Sequence, residues 1–463
     1  MIRLMGPTTR FCDGLSRREL LRIGGLSLGS LGLPGLLDRR SAAAGAARSF
    51  GRAKNCIVLF LSGGASHHDT FDPKPGAPAE IRGEFDTIAT ALPGIRFTKY
   101  LPRTAKLMKH IALVRSMTHT SSGHATGGYA MFTGQTYPKT ESDANFMGRQ
   151  EAPHIGSALA KIAPGPGPMF PFILVPRRLD AGSGRRAGQW GGSLGSKYDP
   201  MQTGGDPNRD DFRLENLPLL PNAPRPVLKR RLRLVDQLNL QTRYLKETAP
   251  ALALKQSQEK ALDVIGSEAV RRAVDLSSAD PDLRARYGRN FFGQSVLLGR
   301  RLLDAGARLV QVNWLRTQGA KGYAWDSHRE NFEALREDLI PPFDQAFAAL
   351  MTDLESSGQL DETLVVVSTE FGRTPKVTLA TGGREHWPHA FSVLLAGGGI
   401  QGGQVYGASD RIGAYPADAP VTPGDLMATI CQCLGVDPHM ELHDQFDRPM
   451  TLCKGNPIAS LLA

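Results

Sequence analysis

Lys54-Asn55-Cys56-Ile57-Val58-Leu59-Phe60-Leu61 runs directly into Ser62-Gly63-Gly64-Ala65-Ser66-His67-His68-Asp69-Thr70-Phe71-Asp72-Pro73-Lys74. The first half is a short continuous apolar run, the pattern of a strand buried on both faces of a parallel sheet. In the second half two glycines allow a sharp turn, and two His and two Asp follow. Similar apolar runs recur at Ile111–Val114, Phe170–Val175, Arg308–Val312, Thr363–Val367 and Phe391–Ala396. Helical periodicity lies between them, at Pro102–Lys109, Thr126–Thr133, His154–Ile162, Gly293–Ala305, Asn331–Ser356 and Pro423–Leu434. Strands alternating with helices predict an α/β fold, a mostly parallel central sheet flanked by helices on both faces with right-handed crossovers. Residues 177–226 are rich in Gly, Pro, Arg and Asn, and 226–287 are charged and helix-like. The stretch 177–287 is therefore expected to be an insertion or cap on a single domain spanning 51–463, and no internal repeat is visible.

The chain has 463 residues, 41% hydrophobic and 22% charged, which excludes disorder throughout. Its net charge of +10 invites a nucleic-acid reading, but eight arginines against three acidic residues among 1–50 account for half of it. The basic runs Arg177–Arg186 and Lys229–Arg233 are short and lack interleaved aromatics, so they read as solvated faces, and no nucleic-acid partner is expected. Ser16-Arg17-Arg18-Glu19-Leu20-Leu21-Arg22 resembles the twin-arginine export signal. A Gly/Leu stretch, Ile23–Leu37, and the small residues Ser41–Ala47 complete a cleavable leader over 1–50. That apolar stretch is too short to span a bilayer, where about 20 residues are wanted. The expectation is export by the twin-arginine machinery to the periplasm or beyond, by a route that moves proteins already folded and loaded with cofactor. Of the five cysteines, Cys12 lies in the leader, and Cys56, Cys431, Cys433 and Cys453 show no zinc-finger spacing. Buried free thiols fit, as does one disulfide among the last three.

In open α/β sheets ligands bind at the carboxyl ends of the strands. Four polar clusters follow predicted strands there. The first holds His67, His68, Asp69 and Asp72; the second, Arg115–His124, holds His119 and His124. Trp325-Asp326-Ser327-His328 is the third. The fourth is Ser368-Thr369-Glu370-Phe371-Gly372-Arg373 with Arg384-Glu385-His386-Trp387-Pro388-His389. Seven of the eleven histidines fall in these clusters. Imidazole with carboxylate is the donor set for zinc, iron or manganese, and carboxylate-rich subsets suit calcium or magnesium. Asp69 and Asp72 are equally suited to capping the turn after the strand. Arg373 can bind an anion or pair with Glu370.

Taken together, the leader, Leu-Ser-Gly-Gly-x-Ser-His-His-Asp-Thr-Phe-Asp-Pro-Lys-Pro, Trp-Asp-Ser-His, Thr-Glu-Phe-Gly-Arg-Thr-Pro and the His386–Gly407 stretch resemble the exported family called "domain of unknown function 1501". That family looks like a branch of the alkaline phosphatase and sulfatase superfamily. The resemblance implies one or two divalent metals, zinc, calcium, magnesium or manganese, at the strand ends. It implies metal-ligating roles for Asp69, Asp326, His328, Glu370 and for His386 or else His389. The sulfatase Cys/Ser-x-Pro-Ser-Arg step is missing: His124-Ala125-Thr126-Gly127-Gly128 stands in its place. His124 would then be a ligand, a general base or the nucleophile, with Arg373 assisting, and Thr120, Ser121, Ser122 and Thr126 are the available hydroxyls.

Two functions compete. The first is an exported metal-dependent hydrolase of phosphate or sulfate esters, small or polysaccharide-borne. The second is a non-catalytic protein on a hydrolase scaffold that binds anionic polysaccharide or cell-surface ligands.

Overall fold

The opening apolar run forms β1, Asn55–Phe60, with all but its first residue buried. Among the described residues, seven further strands join it in one sheet. They are β2 (Ile111–Met117), β3 (Phe172–Val175), β4 (Met201–Gln202), β5 (Leu309–Asn313), β6 (Thr363–Ser368), β7 (Phe391–Ala396) and β8 (Gln404–Tyr406). The computed structural model describes residues 49–145, 148–165, 167–181, 184–214, 230, 263–264, 267–315 and 324–463. The leader expected over 1–50 lies almost wholly outside them.

The order across the sheet is β8-β2-β7-β6-β1-β5-β3-β4. β1 pairs in parallel with both β6 and β5, Val58 facing Val366 on one side and Gln311 on the other. β7 alone runs against the rest, antiparallel to β6 and β2. The fold is thus the expected mostly parallel sheet, flanked by helices on both faces.

Among the described residues, the helices that flank the sheet include α1 (His124–Thr133), α2 (Ile155–Ile162), α3 (Phe291–Asp304), α4 (Ile340–Ser356) and α5 (Pro423–Cys433). The two-residue alternation of a strand distributes β1 between them. Cys56, Val58 and Phe60 pack into the core beneath α1, α2 and α5, with Phe132, Leu159 and Ile430. Ile57 and Leu59 face the opposite core, with Val296, Leu297, Phe343 and Phe347 of α3 and α4. Each fully buried Leu or Phe in these layers contributes roughly 1.5–3 kcal/mol over an exposed one.

Local sequence explains the helix starts. Thr422 and Asp425 form a capping box ahead of α5, with Pro423 at its first position. The helix predicted over 331–356 is interrupted by a wide turn at Leu335–Leu339 just before Pro341 and Pro342, which carry no N–H to continue the ladder. Helix α1 starts at Gly123 with no cap from that residue. Glu141 replaces it, accepting from Ala125 N at 2.7 Å and Thr126 N at 2.9 Å.

Within the stretch expected as an insertion, β4 extends the sheet edge beside β3. Helical residues 268–274 and 281–287 lie against α3 and α4. Tyr287 Oη donates to Asp353 of α4 at 3.1 Å, and Arg284 Nε to Gln294 of α3 at 2.7 Å. Among the described residues no helix is long and apolar enough to cross a membrane.

Candidate metal centre

Beyond β1 the chain turns through Gly63 and Gly64 at φ +120° and +89°, which L side chains rarely adopt. A Cβ on Gly63 would fall 2.3 Å from the backbone nitrogen of Asp326, so the Trp325-Asp326 segment lies directly on this turn. Trp325 N donates to Ser62 O at 3.1 Å, and the indole is buried. Asp326 is thereby held at the carboxyl end of β1. Glu370, two residues beyond β6, reaches the same turn and accepts from Gly63 N at 2.7 Å.

Three imidazoles converge on Asp326. Its Oδ1 lies 3.0 Å from His328 Nε2 and 3.1 Å from His386 Nε2, while its Oδ2 lies 3.2 Å from His124 Nε2. The Nε2 atoms of His328 and His386 are 3.0 Å apart. Donor atoms of His124, Asp326 and His386 all lie within 4.8 Å of one another. In each ring the other nitrogen is committed to an acceptor. His124 Nδ1 donates to Glu370 at 2.8 Å, His386 Nδ1 to Ser122 O at 2.7 Å and His328 Nδ1 to Glu385 at 2.5 Å. A proton on each Nδ1 leaves the Nε2 lone pairs facing one another and the carboxylate, as ligating histidines are held. Lone pairs crowded in this way repel unless a proton or a cation lies among them.

The electrostatics carry that tension. Burial alone would favour neutral His124, but hydrogen bonds to Asp326 and Glu370 outweigh it and push its pKa up to about 9. Burial would likewise raise Asp326, yet His124, His386 and the charge of Arg373 hold it far below the usual carboxylate range. Glu370 is fully buried and still held down, by His124 first and by the charge of Arg186. The side chains of Asp326 and His328 are each more than a third exposed, so the cluster opens to solvent.

The other residues singled out in the sequence lie elsewhere or face another way. Asp69 is buried away from the cluster in an ion pair with Arg384, at 2.8 and 2.9 Å, and also accepts from Ser66 and Asn331. His389 packs on Trp387 and Tyr415. Arg373 does not pair with Glu370; its buried guanidinium donates to the carbonyls of Gly63, Gly64, Trp325 and Arg384 and to Asp326 at 2.5 Å. The guanidinium is fully buried beneath the Asp326 carboxylate. Glu370 stands behind His124, with Oε1 taken by Gly63 N and His124 and Oε2 3.3 Å from the Thr369 hydroxyl. His67 and His68 donate from Nε2 to the carbonyls of Gly413 and Ile412, both at 2.8 Å, and tie down that loop. Asp72 accepts from Lys74 and Ser409 and lies 3.3 Å from the Arg115 guanidinium as an ion pair.

Sequence reasoning passed over Arg384, Glu385 and Glu141. The first two lie in a quoted cluster, and only the fold reveals what they pair with. Glu141 follows no apolar run and carries no local signal at all.

The family model described as "Protein of unknown function (DUF1501)" matches residues 53–462. The chain belongs to this family. No curated protein matches this DUF1501 protein in sequence. It is similar to three solved bacterial structures among others. The PsFucS1 sulfatase from Pseudoalteromonas sp. is 14% identical, over 92% of this chain and 75% of that one, with a TM-score of 0.41. The phosphonate monoester hydrolase SpPMH from Silicibacter pomeroyi is 13% identical, over 89% and 76%, with a TM-score of 0.38. The alkaline phosphatase from the Antarctic bacterium TAB5 is 14% identical, over 78% and 96%, with a TM-score of 0.34.

Proposed function

We propose that this DUF1501 protein is an exported, metal-dependent hydrolase of phosphate or sulfate esters. One observation carries the reading: His124, His386 and His328 all turn Nε2 toward Asp326 while Nδ1 is fixed on Glu370, Ser122 O and Glu385. His124, Asp326 and His386 would hold the ion, and a set rich in imidazole suits zinc or manganese better than calcium. A divalent ion bound there supplies Lewis-acid polarisation of the ester oxygen.

The chain's own residues do the rest. Arg373 locks the Asp326 carboxylate in place from below. Glu370 orients His124 and keeps its proton on Nδ1. His328, partly exposed and backed by Glu385, is the imidazole placed to move a proton at the mouth of the site.

The test is a panel of aryl phosphates and aryl sulfates run on the metal-loaded protein and on Asp326→Ala and His386→Ala. The reading expects turnover in the wild type and a fall of at least about 100-fold in both variants. Equal turnover in all three sinks it. A second reading, a binder of anionic polysaccharide without turnover, draws on Thr126. Its hydroxyl lies 2.7 Å from Glu141 and 3.3 Å from Gly123 O, engaged in capping the helix rather than free for attack. No turnover in any of the three, with metal bound, would favour that binder.

A further inference from the structure

Cys56, Cys431, Cys433 and Cys453 are all buried and free, and none belongs to the imidazole–carboxylate cluster. Among the described residues one pair of thiols touches. The Sγ atoms of Cys431 and Cys453 lie 3.8 Å apart, although 22 positions separate them in the sequence. Cys431 sits in the last turn of α5, and the chain returns to it after the short hairpin of 441–443 with 449–451. Cys433 is on α5 as well, but residues two apart on a helix face different ways, so it does not share the contact.

The backbone fixes this meeting. Cys453 N donates to Pro438 O at 2.9 Å. Gly455 approaches the start of α5 so closely that a Cβ there would fall 2.1 Å from the carbonyl carbon of Gly424. Beyond it, Asn456 N donates to Asp425 Oδ1 and Ile458 N to Thr429 Oγ1, both at 2.9 Å. Residues 453–458 are thus laid along α5 by main-chain bonds, and the thiol contact follows from that docking. A disulfide brings its sulfurs to about 2.05 Å, a closure of the size that side-chain rotation covers. Thr451 and Lys454 are exposed on either side of Cys453, so a small lift of the segment opens Cys453 first. Cys431 stays inside the helix layer, where its contact with Cys453 and its burial hold its pKa well above the ordinary thiol value.

We infer that Cys431 and Cys453 are a dithiol site that is oxidised to a disulfide, stapling residues 453–458 to α5. The oxidant is a second disulfide, carried by a small thiol compound or by an oxidoreductase. The Cys453 thiolate attacks one of its sulfurs, and the other leaves as a thiol. Cys431 then attacks the Cys453 sulfur of the mixed disulfide and expels the second thiol. The two cysteines give up two electrons and two protons, and both protons end on the two released thiols. Such a bond persists in an oxidising compartment, where the leader expected over 1–50 would deliver the folded chain. Neither the metal centre nor the hydrolase reading enters this step.

The test incubates the full chain, purified folded and reduced, with glutathione disulfide, then alkylates the remaining thiols and maps the peptides by mass spectrometry. The expected result is a linked pair of peptides joining Cys431 to Cys453, with Cys56 and Cys433 recovered as alkylated thiols. Cys431→Ser and Cys453→Ser should each abolish the link. Hydrogen exchange at the Asn456 and Ile458 amides gives a second readout on wild type alone, its oxidised form against its reduced form. A disulfide closing a loop of this length should slow that exchange by roughly 30-fold or more. The same treatment of Cys431→Ser should leave it unchanged. Absence of the linked peptides from folded wild type after prolonged incubation overturns the inference. So does a link made through Cys56 or Cys433, or exchange at the two amides that is the same in both forms.

Discussion

At the scale of single residues, Asp326 and Asp69 show how the same side chain comes to different ends. Asp69 follows β1 and Asp326 follows β5 at a longer sequence distance. Asp326 gathers three imidazoles above the Arg373 guanidinium, whereas the charge of Asp69 is matched by Arg384. Neutralising Asp69 as Asp69→Asn leaves Arg384 buried without its counter-charge, which costs about 3–5 kcal/mol. A urea titration should therefore show a large fall in midpoint while metal content stays near wild type; a retained midpoint, or lost metal, would count against this account. Glu370→Gln should act the other way, weakening metal affinity about 10–100-fold in competition with a chelating dye, because it loosens the orientation of His124. The candidates for the cluster were legible in the sequence because Asp326, His328, Glu370 and His386 follow strands or the loops after them. The fate of Asp69 was not, since Arg384 lies 315 residues away and nothing local marks the pair.

At the scale of elements, the turn after β1 matters most. Gly63 sits at φ +120° with the Asp326 backbone pressed against it, so Gly63→Ala must displace the Trp325-Asp326 segment. The expected outcome is a loss of metal affinity of about tenfold or more with far-ultraviolet circular dichroism unchanged; full affinity in a folded Gly63→Ala protein would contradict it. The six long apolar runs could be read as strands because burial on both faces demands a continuous apolar stretch. The direction of β7 could not, since a strand buried on both faces carries the same pattern whichever way it runs. The edge strands β4 and β8 escaped notice for a simpler reason: two and three residues are too few to show a period.

At the scale of the whole molecule, burial of histidine sets the response to acid. His67 and His154 lie inside the two layers, and burial pushes their pKa values down to about 4 and about 3. Both protonate near 6.5 in the unfolded chain. Between those values and 6.5 the unfolded state binds more protons, so stability falls as the pH drops below about 6.5. At pH 5.5 each contributes a loss of about 1.4 kcal/mol, about 3 kcal/mol together. Unfolding midpoints should fall between pH 7.5 and 5.5, with buried His68 and His119 acting in the same direction and His124, raised to about 9, opposing them. His154→Gln should make the fall shallower; a fall as steep in His154→Gln as in wild type would refute the assignment. The central claim concerns the ion itself. Anomalous diffraction from crystals of the full chain soaked in zinc tests it most directly. The account predicts one peak about 2.0–2.2 Å from the Nε2 atoms of His124 and His386 and a carboxylate oxygen of Asp326. Crystals with zinc bound only elsewhere, and with these imidazoles still hydrogen-bonded to Asp326, would contradict it.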